Sequence, residues 1–211
     1  MATVNVCETF VSIQGESTYA GLSCFFIRMA GCNLRCRYCD TTYAYVPGRD
    51  VPVAELVAEC RSSASALVEI TGGEPLLQSG FRELATTLRD QARKPVLVET
   101  NGSKDISVIP AGVIAVLDVK CPGSGEHETM DPCNIGRLRP QDEVKFVLND
   151  RKDYEWARDF VKHHTLASRC HAVLFSPVFG VLTAKDLGEW ILQDGLAVRL
   201  QVQLQKVLGM K

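Results

Sequence analysis

Six short apolar runs, each closed by turn-forming residues, set the limits on how this chain folds. They occupy residues 24–29, 66–70, 96–99, 113–119, 144–148 and 172–175. Runs this short and continuous suit strands buried on both faces, as in a parallel sheet. Between them the apolar period changes. Val53, Leu56, Val57 and Cys60 recur at helical spacing, as do Phe81, Leu84, Ala85 and Leu88. Tyr154, Ala157 and Val161 predict a third helix, and Leu187, Trp190 and Ile191 a fourth. Near the end, Val198, Leu200, Val202 and Leu204 alternate with polar residues, which predicts a last, half-exposed strand. Strand and helix in alternation mean an α/β fold with a largely parallel sheet. A closed eight-fold barrel takes about 250 residues, and this chain has 211. The expectation is a partial, open (β/α)6-type barrel with parallel strands, one domain over residues 1–211.

Composition narrows the partners. The formal net charge is −2 and no Lys/Arg run stands out, so nothing supports a nucleic-acid partner. The longest apolar run, near residues 113–117, is far too short to cross a bilayer. Residues 1–10 lack the basic-then-apolar pattern of a signal peptide. A cytoplasmic protein is expected, with no membrane partner. In a reducing compartment its nine cysteines point to metal or catalysis rather than disulfides.

The unusual residues gather after strands. Thr71-Gly72-Gly73-Glu74-Pro75 follows one run, Glu99-Thr100-Asn101-Gly102 closes the next, Asp118-Val119-Lys120 another, and Ser176-Pro177-Val178-Phe179 another. Carboxyl ends of parallel strands are where such folds build sites, so one rim collects these motifs. Gly73 suits close approach of backbone to a ligand. Asp118 and Lys120, two apart, point to one side and are placed for an ion pair. Arg28 sits inside an apolar run, where its guanidinium wants a carboxylate or another planar acceptor.

Three cysteines cluster: Cys32, Cys36 and Cys39, spaced C-x3-C-x2-C. Soft thiolates favour iron–sulfur clusters, zinc or Cu(I). A structural zinc site is closed by four protein ligands, usually two close pairs. No second C-x2-C is present, so a fourth ligand would have to be Asp40 or a remote cysteine. A cubane on three thiolates leaves one iron open to a small molecule. Cys7, Cys24, Cys60, Cys121, Cys133 and Cys170 read as buried or incidental thiols. His127, His163, His164 and His171 show no ligand spacing with the cysteines.

The cysteine spacing followed by Gly72-Gly73-Glu74-Pro75 resembles the radical S-adenosylmethionine superfamily. The residues at 10–16, Phe26-Ile27-Arg28, Cys39-Asp40-Thr41, Glu99-Thr100-Asn101-Gly102, 118–122, 142–147 and Phe175-Ser176-Pro177-Val178 make nearly the whole chain similar to the 7-carboxy-7-deazaguanine synthase family. The resemblance implies a carbon–nitrogen lyase of queuosine biosynthesis, a tRNA-modification pathway. Its cofactors would be a [4Fe–4S] cluster, S-adenosyl-L-methionine and Mg²⁺. It implies cluster ligation by Cys32, Cys36 and Cys39, and Mg²⁺ at Thr41 beside Asp40. Gly73, Asp118, Lys120, Ser176, Pro177, Val178 and Phe179 would meet S-adenosylmethionine. Ile13, Gln14, Gly15, Arg28 and Thr71 would meet the pterin substrate, 6-carboxytetrahydropterin. It also implies a small electron-transfer protein such as a flavodoxin as reductant, and a homodimer. Many relatives carry a histidine where this chain has Gln205, and the tail Gly209-Met210-Lys211 matches no family pattern. A glycyl-radical activating enzyme is the alternative enzyme reading, and a zinc-stabilised binding module the non-enzymatic one.

Overall fold

A computed structural model describes residues 2–211. The strands are β1 (Thr3–Ile13), β2 (Ser23–Met29), β3 (Arg49–Pro52), β4 (Leu67–Gly72), β5 (Val96–Thr100), β6 (Ile114–Asp118), β7 (Glu143–Leu148), β8 (Ala172–Pro177) and β9 (Arg199–Leu200). They form one sheet in the order β3-β1-β2-β4-β5-β6-β7-β8-β9. From β2 to β9 every neighbouring pair is parallel. The six expected runs are all there, in sequence order.

The helices are α1 (Val53–Ser62), α2 (Phe81–Gln91), α3 (Asn134–Arg137), α4 (Arg151–His163), α5 (Ala184–Asp194) and α6 (Leu204–Leu208). The four expected helices are α1, α2, α4 and α5. Asp150 caps α4 by accepting from the amides of Lys152 and Asp153, and Thr183 caps α5 through the amide of Asp186. Their apolar stripes pack on one face of the sheet against Phe25, Ile27, Ile70, Val98, Leu117, Phe146 and Phe175, which form the main core.

Two ends depart from expectation. An antiparallel edge, β1 with β2 and β3, precedes the parallel strands. β1 alternates half-exposed polar residues with apolar ones, so it makes no continuous apolar run. At the other end the expected strand through residue 204 is only the two residues of β9, followed by helix α6. The alternation has another cause: Gln201 is buried while Val202 is 41% exposed. The glutamines point inward.

The sheet is open, with β3 and β9 as edges among the described residues, yet it curls. The segment after β1 reaches across to the far strands. The Ser17 amide donates to Gln201 Oε1 at 2.7 Å and the Thr18 amide to Glu143 Oε2 at 3.1 Å. The Leu204 amide donates to the Gly15 carbonyl at 3.0 Å. This closes a concave chamber over the face that carries no helices. A small apolar plug of Cys24, Phe26, Leu67, Leu97 and Val116, with Phe10, Tyr19 and Ile114 against it, forms its base.

Candidate active site

Alternation along the strands sends a second set of side chains into the chamber. β2 contributes Arg28, β4 Glu69 and Thr71, β5 Glu99, β6 Asp118 and β7 Lys145. Register sets Arg28 beside Thr71 and Asp118 beside Lys145. The strands are buried on both faces, as expected, but the inner face becomes charged toward the carboxyl ends.

Lys145 is the hub of this layer. Its ammonium bonds Glu99, lies 3.0 Å from Glu16 Oε2 and 3.9 Å from Asp118 Oδ2. Lys120 lies 2.6 Å from the same Asp118 oxygen, which makes the expected pair real. Gln203 and Gln205 each donate to Glu16 Oε1 at 3.0 Å. Gln14 accepts from the Glu16 amide at 3.0 Å and donates to Glu69, so its side-chain amide is locked. Three carboxyls, Glu16, Glu99 and Asp118, thus share two ammonium groups, and Glu69 has an amide donor but no ion pair among the described residues. Burial disfavours charge on Glu16, but Lys145 together with the Gln203 and Gln205 amides outweighs it and holds this carboxyl below its ordinary range. Burial, with Glu99 nearby, pushes Glu69 well above that range. Burial also raises Glu99, against the pull of Lys145. Burial opposes charge on Lys120, yet Asp118, with Cys36 and Tyr38 nearby, outweighs it and raises the pKa.

Above this layer lies the cysteine loop, between β2 and β3. Leu34 is buried and anchors it. The Gly31 amide donates to the Ala44 carbonyl at 2.7 Å, and the Arg37 amide to the Ser124 carbonyl at 3.0 Å. Arg35 donates to the carbonyls of Cys32 and Leu34 at 2.8 and 2.7 Å, with its guanidinium carbon 4.2 Å from the centre of the Tyr45 ring. Cys32, Cys36 and Cys39 are all free and half-buried, and all face the chamber. Burial raises Cys32, and pushes Cys36 up to about 11 with Lys120 pulling back. A ligand that takes them as thiolates must displace protons. Among the described residues no three Cys, His, Asp or Glu side chains converge as for one metal ion. Three thiolates holding a cubane sit at its separate corners instead of around a point.

The Gly72-Gly73 turn passes directly under this loop. Gly72 has φ +126°, in the region that favours glycine. A Cβ on Gly73 would collide with the Gly31 carbonyl. Glu74 is fully buried; it accepts from the Asn101 amide at 2.7 Å, the Thr100 hydroxyl at 2.8 Å and the Leu76 amide at 2.9 Å. It ties this turn to the end of β5.

The chamber is a cavity of about 860 Å³, open at one side, at the upper end of the usual range for small-molecule sites. It brings together Ile13, Gln14, Gly15, Arg28, the three cysteines, Asp40, Thr41, Thr71, Gly73, Asp118, Lys120, Val178 and Phe179. Ser176 and Pro177 are buried behind that wall and do not line it. Arg28 has a carboxylate partner, with Nε 3.0 Å from Glu8 Oε1. Asp40 accepts from the Thr41 hydroxyl at 3.0 Å and meets Lys206 Nζ at 2.5 Å. Among the described residues no histidine and no fourth cysteine lines the cavity. Glu16, Glu69, Lys145, Gln203 and Gln205 were given no role by the sequence reading. The signal for two of them was present, since Glu69 and Lys145 are charges inside apolar runs, as Arg28 is.

The residues fit the group that three thiolates would hold. Two buried side-chain oxygens on residues that line the cavity, Asp118 Oδ1 and Gln205 Oε1, have no partner among the described residues. Buried polar atoms rarely stay unpaired, so a bound molecule is the natural partner.

Comparison with known proteins agrees with this geometry. The Radical SAM superfamily profile matches residues 26–114. The 7-carboxy-7-deazaguanine synthase of Koribacter versatilis is 40% identical, over 97% of this chain and 96% of its own. That of Chlorobaculum tepidum is 42% identical, over 98% and 94%. The crystal structure of QueE from Escherichia coli superposes with a TM-score of 0.78 at 19% identity, covering 96% of this chain and 94% of that one, which supports the fold. The chain belongs to the 7-carboxy-7-deazaguanine synthase family.

Proposed function

We infer that this chain is a radical carbon–nitrogen lyase that converts 6-carboxy-5,6,7,8-tetrahydropterin to 7-carboxy-7-deazaguanine with loss of ammonia. One observation carries this reading beyond the family match. The three half-buried cysteines share a single cavity with Arg28 and an internally bonded polar layer. When bound, the [4Fe–4S] cluster and S-adenosylmethionine supply the one-electron chemistry that removes a hydrogen atom from the substrate.

The protein's own part is holding and orienting. Cys32, Cys36 and Cys39 ligate the cluster. Gly73 leaves its backbone open to the amino group of S-adenosylmethionine. Asp118 Oδ1 supplies a free acceptor on that side, with Ser176 and Pro177 behind and Val178 and Phe179 as wall. Lys120 neutralises Asp118. Arg28 offers its unpaired guanidinium edge to the substrate carboxylate while Glu8 fixes its Nε. Ile13, Gln14, Gly15 and Thr71 meet the pterin edge. Gln14 is immobile because both ends of its amide are engaged, so it presents fixed groups to substrate. The apolar plug and the internally paired charges leave little room for water or stray hydrogen donors.

Mg²⁺ at Thr41 beside Asp40 belongs to the same proposal. Here Lys206 neutralises Asp40, so the cation must displace that ammonium. A flavodoxin-like reductant, a homodimer and a cytoplasmic place in queuosine biosynthesis complete the reading. No helix among the described residues is long and apolar enough to cross a membrane.

The test is anaerobic incubation of reconstituted, reduced protein with S-adenosylmethionine, Mg²⁺ and the carboxypterin. Appearance of the deazapurine absorbance is expected. Absence of product with an intact, reduced cluster would overturn the reading.

A further inference from the structure

Asn101 directly follows β5, the residue is 8% exposed, and its side-chain amide is held in one orientation. Its Oδ1 accepts from the Ser103 amide at 3.0 Å and from the Ser103 hydroxyl at 2.7 Å. That hydroxyl accepts in turn from Asn33 Nδ2 at 2.9 Å, and Asn33 Oδ1 accepts from Asn101 Nδ2 at 3.3 Å. The ring of donors and acceptors closes only if Nδ2 of Asn101 faces the cysteine loop. There it lies 3.8 Å from Cys32 Sγ. Its backbone is pinned by Glu74, which accepts the Asn101 amide at 2.7 Å and is itself fully buried. The Leu34 amide donates to the same sulfur at 3.4 Å. Nothing in the proposed chemistry uses Asn101.

We propose that Asn101 is a positioning residue that donates a fixed N–H···S hydrogen bond to the Cys32 thiolate and thereby raises the reduction potential of the cluster. Hydrogen bonds to ligand sulfurs help set iron–sulfur potentials. A donor stabilises the more negative, reduced state over the oxidised one. The outer partners matter as they do in other metal sites, because they decide which atom the ligand meets. Asn33 and Ser103 keep the amide from flipping, and Glu74 couples its position to the Gly72-Gly73 turn.

This inference rests on cluster ligation by Cys32, Cys36 and Cys39. The experiment is an anaerobic, EPR-monitored redox titration of the reconstituted protein without S-adenosylmethionine, for the native chain, Asn101→Leu and Asn101→Asp. Leu removes the donor at similar volume. Asp keeps the Oδ1 contacts to Ser103 and puts an acceptor where the donor was. Both variants are expected to titrate at more negative potential, Asp further than Leu. A tenfold fall in the reduced-to-oxidised ratio at fixed poise corresponds to about 59 mV for one electron. If Leu does not retain iron and sulfide, Asp alone decides. An unchanged or more positive midpoint in a cluster-loaded variant overturns the proposal, and so does failure of both variants to hold a cluster, because the amide would then be needed for assembly. Failure of the native chain to bind iron and sulfide would instead overturn the cluster reading itself.

Discussion

The two faces of the central strands carry opposite chemistry on the same backbone. On β7, Val144, Phe146 and Leu148 point to the helices, while Glu143 and Lys145 lie on the opposite face, Glu143 accepting from the Thr18 amide and Lys145 lining the chamber. On β4, Val68 and Ile70 face the helices, and Glu69 and Thr71 face inward. The helix side is close-packed hydrocarbon, which gives the sheet its stability. The chamber side is buried almost as deeply but satisfied by ion pairs and amide bonds, and such groups contribute little net stability. Their value lies in fixed geometry at a site that must exclude water. Adjacent residues on one strand can therefore be compared directly.

The largest effect is expected at the loop above the chamber. Cys36→Ala should lose the cluster and all product formation while its thermal melt stays near that of the native apoprotein, because the residue is only half-buried. Retained cleavage of S-adenosylmethionine would contradict the assignment. Next come the neighbours Phe146 and Lys145. Phe146→Ala should cost about 3–5 kcal/mol by leaving a cavity. Lys145→Met should cost about 1–3 kcal/mol by leaving Glu16 and Glu99, half-buried in the chamber, without their cation. Denaturant titrations at pH 7 and pH 5 separate the two. The Lys145 variant should recover stability relative to the native chain at the lower pH, where the orphaned carboxyls take up protons, and the Phe146 variant should not.

Arg28→Lys should lower kcat/KM for the carboxypterin by roughly 10–100-fold, the loss of a charge-assisted bond worth about 1.5–3 kcal/mol. The change should lie mostly in KM. The smallest effect is at Glu69, whose folded pKa is raised by burial and by Glu99. A raised carboxyl contributes stability that is complete below its unfolded pKa and is lost as pH rises through the folded one. Glu69→Gln should therefore be more stable than the native chain at neutral pH by roughly 1 kcal/mol, or about 2–4 °C in Tm for a chain this long. The gap should close in acid. A native-like or lower Tm at pH 8 would show that Glu69 is needed as a charge.

The helix side was legible in the sequence because its signals are local. Val53, Leu56, Val57 and Cys60 repeat within one helix, and each apolar run lies within one strand. The cysteine loop was legible for the same reason. The chamber layer was not, since its bonds join distant segments: Gln14 to Glu69, Glu16 to Lys145 and Gln205. The tail shows how a local pattern misleads. Residues 198–204 alternate as a strand would, but the alternation serves to aim Gln201 and Gln203 at Glu16. The Asp118–Lys120 pair was foreseen because both partners lie two residues apart.

The central claim is that three thiolates hold a cluster with one open iron facing this chamber. EPR of the anaerobically reconstituted and reduced protein, recorded before and after adding S-adenosylmethionine, tests it most directly. A change in the cluster signal on addition is expected, because the cofactor binds the iron that lacks a protein ligand. An identical signal at saturating S-adenosylmethionine, from a fully loaded cluster, would contradict it.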